Sequence, residues 1–313
     1  MSPSPRLAAI ALTAIAPLSW GTTYLVTTQW LPPDRPLLSG ALRALPAGLL
    51  VIAVTRRLPH GHWWWRAAAL GVLNIGAFFA LLFAAAYRLP GGVAATLGAT
   101  SPLAVAALAM LLLGERPTRW RLGWAIIGVA GVAMMVLRPG AHLDLLGVLA
   151  GLGGTASMST GIVLTRRWGN PVGPVAFAGW QLAAGGLFLL PLALLVEGPP
   201  PHLPLPAIGG YAWLGLIGAL LAYTLWFRGI GTIPVTAVSF LTLLSPVVAT
   251  TLGWAVLGEG LNATQAAGFA LALVSVVAAQ TPPHRRRRPA PPQDLPRPSR
   301  TIPYPSQPER IHT

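Results

Sequence analysis

The 313-residue chain contains no cysteine, and all 21 of its basic residues are arginine, so lysine is absent as well. Without cysteine there is no disulfide framework, no thiolate nucleophile and no thiolate-ligated metal. Without lysine there is no phosphate-binding loop that ends in Gly-Lys. Acidic residues are scarce, with seven Asp and Glu in total. The composition therefore excludes several common enzyme chemistries before any motif is considered.

Charge of either sign is rare: 9% of the residues are charged, against roughly 25% in an ordinary soluble domain. A water-facing surface needs more charge than this, whereas a lipid-facing surface is penalised for each charge. With 54% hydrophobic residues, the chain is predicted to be a membrane protein. The net charge of +14 does not predict a nucleic-acid partner, because the arginines lie between apolar stretches.

Ten apolar stretches are long enough to cross the hydrocarbon core as helices, which takes about 20 residues each. Their connections leave no room for a folded soluble domain. We therefore predict an all-α polytopic membrane protein with ten transmembrane helices. The predicted spans are 7–26, 37–55, 67–87, 91–113, 121–137, 145–165, 175–196, 207–227, 233–257 and 263–280.

The distribution of arginine predicts the orientation of these spans. If the N-terminus is cytoplasmic, 17 arginines lie on the cytoplasmic side, three lie outside (Arg35, Arg88 and Arg138), and Arg43 falls within a span. Basic residues are enriched in cytoplasmic loops, so both termini are expected to be cytoplasmic. Residues 281–313, rich in Pro, Arg and Ser, are predicted to form a disordered cytoplasmic tail. The four arginines at 285–288 are expected to contact anionic lipid.

The chain repeats itself. A shift of 144 residues places Ser101-Pro102 on Ser245-Pro246, and earlier in each half a shift of 138 places Arg43 on Gln181. Each half, 1–140 and 141–280, holds five predicted spans. Because five is odd, the second half enters the membrane in the opposite orientation. Two inverted five-helix repeats are typical of secondary transporters, whose substrate site lies between the halves.

Several short motifs carry a family resemblance across about residues 7–280. In order along the chain they are Trp20-Gly21, Leu42-Arg43, Ser101-Pro102, Leu113-Gly114-Glu115-Arg116, Ser245-Pro246 and Gly258-Glu259. In this order and spacing the chain resembles the EamA domain of the drug/metabolite transporter superfamily. The resemblance implies a ten-helix exporter of amino acids or similar small metabolites in a bacterial inner (plasma) membrane. The two halves differ at the pair of equivalent positions where the first half has Arg43 and the second half has Gln181.

Arg43 is the first candidate for substrate binding, because a charge about 9 Å inside the membrane needs a partner, a cavity or a route to the surface. It either meets the carboxylate of an amino-acid-like substrate, or contacts backbone carbonyls or snorkels to the interface. Gln181, at the equivalent position, either binds substrate or contacts a neighbouring helix.

Proline within a span removes a backbone hydrogen bond and frees a carbonyl group. Pro102 and Pro246, with the adjacent Ser101 and Ser245, are therefore candidates for a symmetric site floor or for simple kinks. An apolar pocket with a few polar groups is typical of small-molecule sites. The remaining candidates are one buried amide and aromatic residues at comparable depth, namely Asn74, Trp20, Tyr24, Phe78 and Tyr223.

The sequence thus predicts a transporter of small amphipathic metabolites that works by alternating access, as a monomer or homodimer. A multidrug or other metabolite permease is the alternative within this class. A passive channel would need a continuous polar lining, and a membrane enzyme would need reactive side chains that the motifs do not supply. No cofactor or metal is expected. No acidic residue falls near a span centre, so proton coupling, uniport, direction and substrate stay open.

Overall fold

The computed structural model describes residues 5–89, 91–137, 144–199, 202–258 and 262–281. These residues belong to one compact unit, Met1–Pro282, whereas the second unit, Pro283–Thr313, lies outside the described residues, as does the predicted tail beyond residue 281. Every regular element in the described ranges is helical, and none is a strand. The prediction of an all-α protein is confirmed.

Fifteen α-helices and two π-helical segments occur in this part of the chain. The π-helical segments are Val72–Gly76 and Leu216–Leu221. The α-helices are α1 Pro5–Gly21, α2 Thr23–Trp30, α3 Pro36–Thr55, α4 Trp63–Gly71, α5 Ala77–Arg88, α6 Gly91–Ala99, α7 Ser101–Leu113, α8 Arg119–Val136, α9 Leu145–Trp168, α10 Pro174–Val196, α11 Leu205–Gly215, α12 Ala222–Thr232, α13 Val235–Leu241, α14 Leu244–Leu257 and α15 Ala263–Gln280.

Nine helical stretches of the described chain are long and apolar enough to cross a membrane. They are Pro5–Trp30, Pro36–Thr55, Trp63–Ala85, Ala95–Leu113, Leu145–Trp168, Pro174–Val196, Leu205–Thr232, Val235–Val256 and Ala263–Gln280. The chain is therefore a multi-pass membrane protein. The predicted fifth span coincides with α8, which has 18 residues and carries Arg119 and Arg121 in its first turn.

The interruptions of the spanning helices differ from the predicted positions in detail. The first span breaks at Thr22, between α1 and α2, whereas Pro17 lies inside α1. The fourth predicted span breaks at Thr100, just before Ser101 and Pro102, which begin α7. The ninth breaks between Leu241 and Leu244, just before Pro246. The prolines thus stand in the first turns of the second segments, where the missing amide hydrogen is tolerated.

Glycine allows the closest helix pair, α3 and α10, to pack backbone against backbone. A Cβ atom at Gly48 would overlap the backbone of Ala183, and one at Gly186 would overlap the backbone of Leu45. Helices in membranes use such small residues to approach each other, because lipid supplies no hydrophobic driving force between them. This contact places Arg43 and Gln181, one or two turns away, in the centre of the bundle.

Three consecutive tryptophans, Trp63, Trp64 and Trp65, precede the third span, a position at which tryptophan is expected to anchor the membrane interface. Trp64 and Trp65 are 57% and 55% exposed, as that expectation requires. Trp63 differs: it is buried and packs on Phe177 and Trp180, with ring centroids 5.9 and 6.3 Å away. One residue of the triplet therefore stabilises the bundle, and two face outward.

Candidate functional site

The two π-helical segments organise the centre of the bundle. Val72–Gly76 and Leu216–Leu221 begin 144 residues apart, which is the offset of the internal repeat. A π-turn interrupts the regular i to i−4 hydrogen bonds and is frequent at functional sites. Asn74 lies in the first segment, and Gly218 occupies the equivalent position in the second.

The carbonyl oxygen of Gly218 accepts two side-chain hydrogen bonds. Arg43 Nη2 donates to it over 3.0 Å, and Trp20 Nε1 donates to it over 3.0 Å as well. Both donors belong to the first half of the chain, whereas Gly218 belongs to the second. The second π-helical segment therefore binds residues from two helices of the opposite half.

Arg43 is 5% exposed, so its guanidinium group does not snorkel to the surface. The guanidinium carbon lies 4.8 Å from the centroid of the Phe79 ring, a cation–π contact. Within the described ranges, Arg43 Nε has no hydrogen-bond partner, and no carboxylate lies within ion-pair distance of the side chain. Arg43 is therefore a buried cation with unused donors.

Gln181 and Asn74 form the second polar contact of the centre. Asn74 Nδ2 donates to Gln181 Oε1 over 2.8 Å and lies 3.4 Å from Thr165 Oγ1. Gln181 is fully buried, and its Nε2 has no acceptor among the described residues. Gly161 packs directly against the Asn74 amide, so that a Cβ atom there would overlap the side-chain oxygen. The amide pair is thus held from three helices.

Asn74→Ala should lower the free energy of unfolding by about 1–3 kcal/mol, because it leaves the buried Gln181 carbonyl oxygen without a donor. Gln181→Leu removes that oxygen, so the double variant Asn74→Ala/Gln181→Leu should lose less than the sum of the single variants. Unfolding by a denaturing detergent would measure the free energy of unfolding of the wild type, the two single variants and the double variant. Additive losses would contradict a direct contact between the two side chains.

Aromatic side chains surround the polar centre. The Trp20 ring lies 5.3 Å from Tyr223 and 5.2 Å from Trp226, measured between centroids. Tyr223 Oη lies 3.4 Å from the Asn74 carbonyl oxygen, and Phe78 is 5.4 Å from Phe79, the ring beneath Arg43. Trp20, Arg43, Asn74, Phe78, Gln181 and Tyr223, all predicted from sequence, are therefore linked in one contact network. The side chain of Tyr24, also predicted, lies outside the described part of the chain.

The predicted serines and prolines form separate contacts. Ser101 Oγ and Ser159 Oγ are 3.3 Å apart, and both residues are buried beside Pro102. A Cβ atom at Gly21 would lie 2.8 Å from the Ser245 carbonyl oxygen, so the equivalent serine packs on α1. Pro246 is partly buried in the first turn of α14. Within the described residues, neither serine is hydrogen-bonded to Arg43, Asn74 or Gln181.

Four further residues contribute to this network and were not predicted as site residues, namely Phe79, Gly161, Thr165 and Gly218. Gly218 acts through its backbone carbonyl group, which every residue has, so its residue type does not indicate this role. Its equivalence to Asn74 under the 144-residue offset was nevertheless readable from the repeat. Phe79, Gly161 and Thr165 are common residue types in membrane helices, and they acquire a role through packing.

A cavity of about 570 Å³ is bordered by the start of α3, the middle of α5 and the end of α10. It is lined by Pro33, Asp34, Arg35, Pro36, Leu37, Ala80, Phe83, Ala84, Val196 and Glu197. Phe83 lies on its wall, and the Phe83 and Phe79 ring centroids are 6.2 Å apart. Phe79 therefore contacts both a wall residue of this cavity and the guanidinium group of Arg43.

Two acidic residues at helix ends, Glu197 and Asp144, have structural partners. Glu197 accepts hydrogen bonds from the backbone amides of Leu37 and Leu38, at 2.6 and 2.9 Å, and so caps the first turn of α3. Asp144 caps α9 through Leu146 N, and its hydrogen bond from Arg88, at 3.1 Å, lowers the pKa of the Asp144 carboxyl below its usual value. Glu259 lies outside the described residues.

Comparison with known proteins gives a consistent result. Residues 7–137 and 145–279 each match the sequence profile of the EamA-like transporter family. Protein PecM of Dickeya dadantii (strain 3937) is 43% identical over 267 residues, which cover 85% of this chain and 90% of PecM. The uncharacterized inner membrane transporter YedA of Escherichia coli (strain K12) is 30% identical over 270 residues, 82% of this chain and 86% of YedA.

One solved crystal structure shares the fold. It superimposes with a TM-score of 0.76, covering 87% of this chain and 98% of that chain, at 22% sequence identity. The likeness extends over most of both molecules, so the arrangement of helices around Arg43 and Gln181 is part of a recurring architecture.

Proposed function

Because the chain belongs to the EamA-like transporter family, within the drug/metabolite transporter superfamily, we propose that it exports small amphipathic carboxylates, amino acids foremost, across a bacterial inner membrane. The observation that carries this proposal is Arg43, a buried cation without a carboxylate partner in the described part of the chain. A charge at this depth is expensive and usually marks a substrate pathway.

The proposed binding mode uses the free donors of the polar centre. Arg43 Nε and Gln181 Nε2 are buried donors that lack acceptors within the described ranges. A carboxylate is the group that a guanidinium binds best, because its two oxygens match the planar fork of N–H donors. The rings of Trp20, Tyr223 and Phe78 then offer apolar contact to the rest of an amphipathic solute.

We further propose ten membrane-spanning helices, with α8 as the fifth, arranged as two inverted five-helix repeats over 1–140 and 141–280. Reciprocal contacts support this arrangement. The offsets of 138 and 144 residues convert the Arg43–Gly218 contact into the Gln181–Asn74 contact. A two-fold axis between the halves requires such pairs of contacts, because every contact from the first half to the second must have an equivalent from the second half to the first.

Two further pairs obey the same offsets. The Ser101–Ser159 contact becomes the Ser245–Gly21 contact, and the packing of Gly48 on α10 becomes the packing of Gly186 on α3. If each half adopts the conformation of the other, the side of the molecule that was open closes, and the opposite side opens. Alternating access by this exchange is the mechanism we propose.

Two equivalent phenylalanines differ in exposure, which supports a conformation that is open on one side of the membrane only. Phe83 lines the 570 Å³ cavity. Its equivalent, Phe227, is 2% exposed and packs on Phe177 and Tyr223, with ring centroids 5.6 Å away in both cases. By the distribution of arginine, the cavity faces outward and the termini are cytoplasmic. The cavity is then the outer vestibule of the transport path.

The absence of cysteine allows this asymmetry to be tested with single-cysteine variants on an unreactive background. Ala80→Cys lies in the cavity, and Thr224→Cys occupies the equivalent position in the second half. A membrane-impermeant maleimide should label Ala80→Cys from outside roughly tenfold faster than it labels Thr224→Cys from inside, if the opposite conformation is populated at 10% or less.

Transported substrate should raise the labelling rate of Thr224→Cys and lower that of Ala80→Cys, because cycling populates the opposite conformation. Each variant serves as the matched control for the other, since both report on repeat-equivalent positions. Equal and substrate-independent labelling from both sides would indicate a continuous path and so contradict alternating access.

Competition in reconstituted vesicles tests the proposed substrate class. The purified protein in proteoliposomes would be given a labelled amino acid together with carboxylates, their amides and amphipathic cations of similar size. Inhibition by the carboxylates and not by the amides supports the proposal. Inhibition by amphipathic cations alone would indicate a multidrug permease and overturn the substrate class.

A further inference from the structure

Three tryptophan rings surround the guanidinium group of Arg66, and we name Trp63, Trp65, Arg66 and Trp168 the Trp–Arg box. The guanidinium carbon lies 5.5, 5.5 and 5.4 Å from the ring centroids of Trp63, Trp65 and Trp168. Trp65 and Trp168 are in edge contact, with centroids 5.1 Å apart. The box joins the start of α4 to the end of α9.

The rings of the Trp–Arg box contact Arg66 but provide no acceptor for its hydrogen-bond donors. Within the described residues, Arg66 Nε is buried without a hydrogen-bond partner, and no carboxylate lies within ion-pair distance of the group. Because the rings contact the guanidinium through cation–π interactions, the in-plane N–H donors remain available. A guanidinium fixed in this way is suited to bind the oxygens of a phosphate group.

The surroundings of the box are basic and contain no acidic residue. Residues 56–66 and 166–173 hold five arginines and no Asp or Glu. Arg57 Nη1 donates to the Val172 carbonyl oxygen over 3.1 Å, so the two segments are adjacent. Arg56 and Arg167 are exposed beside them. A monovalent anion would therefore meet attraction from several charges and repulsion from none of these residues.

The position of the box indicates which anion reaches it. α4 begins at Trp63, so the box lies where a candidate membrane span starts. Exposed tryptophans at such a position, here Trp64 and Trp65, are typical of the lipid headgroup region. Apolar rings beside a basic group match a phospholipid, which presents a phosphate above a glycerol and acyl chains.

We propose that the Trp–Arg box binds the headgroup phosphate of an anionic phospholipid, with Arg66 as the ligand to the phosphate oxygens and Trp65 as the platform beside it. The proposed site uses residues other than those of the polar centre at Arg43 and of the arginine-rich tail. It requires no assumption about the transported substrate.

Quenching of tryptophan fluorescence by brominated lipids would test the site on the full-length protein in detergent. Brominated phosphatidylglycerol should quench the wild-type protein at lower concentration than brominated phosphatidylcholine. Arg66→Gln should weaken this preference roughly tenfold or more, the loss expected for hydrogen bonds to a charged group. Arg66→Lys should lose most of it too, because lysine keeps the charge but not the planar fork.

Arg228→Gln is the matched control, because it removes one exposed arginine outside the box and should retain the preference. Gel filtration would establish that each variant is folded, and all variants keep the tail, so the tail cannot cause the difference. Retention of the preference by both Arg66 variants would overturn the proposal. Displacement of the lipid by inorganic phosphate at equal charge would also overturn it, since the site would then bind a soluble anion.

Discussion

Arg43→Gln is expected to lower kcat/KM for carboxylate-bearing substrates by about 10- to 100-fold, the loss of one or two hydrogen bonds to a charged group. Transport of neutral analogues should change by only a few-fold. Glutamine is the residue that the second half holds at the equivalent position, Gln181, where a buried amide is accommodated. The substitution therefore removes the charge while keeping a polar amide at this buried position.

Initial rates of uptake into proteoliposomes, for one amino acid and its amide, would measure this effect. Arg228→Gln removes an exposed arginine and should leave both rates unchanged. If Arg43→Gln lowered transport of the acid and the amide equally, Arg43 would have a structural role, and the carboxylate would bind elsewhere.

Gly48→Val is expected to destabilise the bundle by about 3 kcal/mol or more, at the upper end of the effects of overpacking. A side chain at this position overlaps the backbone of Ala183, which cannot move aside as a flexible side chain would. Because α3 carries Arg43 and α10 carries Gln181, separation of these helices would also disrupt the proposed substrate site.

Gly209→Val is the matched control, since Gly209 also lies in a membrane helix and a Cβ atom there would have no neighbour within 4 Å. The yield of monodisperse protein on gel filtration and its midpoint of thermal unfolding would compare the two variants. Equal stability of Gly48→Val and Gly209→Val would contradict backbone contact between α3 and α10 as the core of the fold.

The helical class and most spans were predictable because long apolar stretches have few structural alternatives in lipid. The break at Thr22 and the two π-helical segments were not, because no proline or charge marks them and they arise from contacts between helices. Trp63 shows the same limit, since an interfacial tryptophan and a buried one have the same sequence context.

The residues of the polar centre could be selected from the sequence, but their contacts could not. Arg43, Asn74 and Gln181 could be selected because polar side chains are rare within membrane spans. The repeat related Arg43 to Gln181, yet the sequence could not reveal that each contacts the π-helical segment of the opposite half. Ser101 and Ser245 were selected by symmetry alone, and within the described residues they lie in contacts separate from the polar centre.

Counterflow is the most direct test of a carrier that exposes one site alternately to each side. Proteoliposomes loaded with an unlabelled amino acid would be diluted into a trace of the same labelled compound. The proposed mechanism predicts a saturable, transient accumulation of label above equilibrium, lost in Arg43→Gln for carboxylate substrates. Flux that is linear in concentration, without accumulation above equilibrium, would indicate a channel and contradict alternating access.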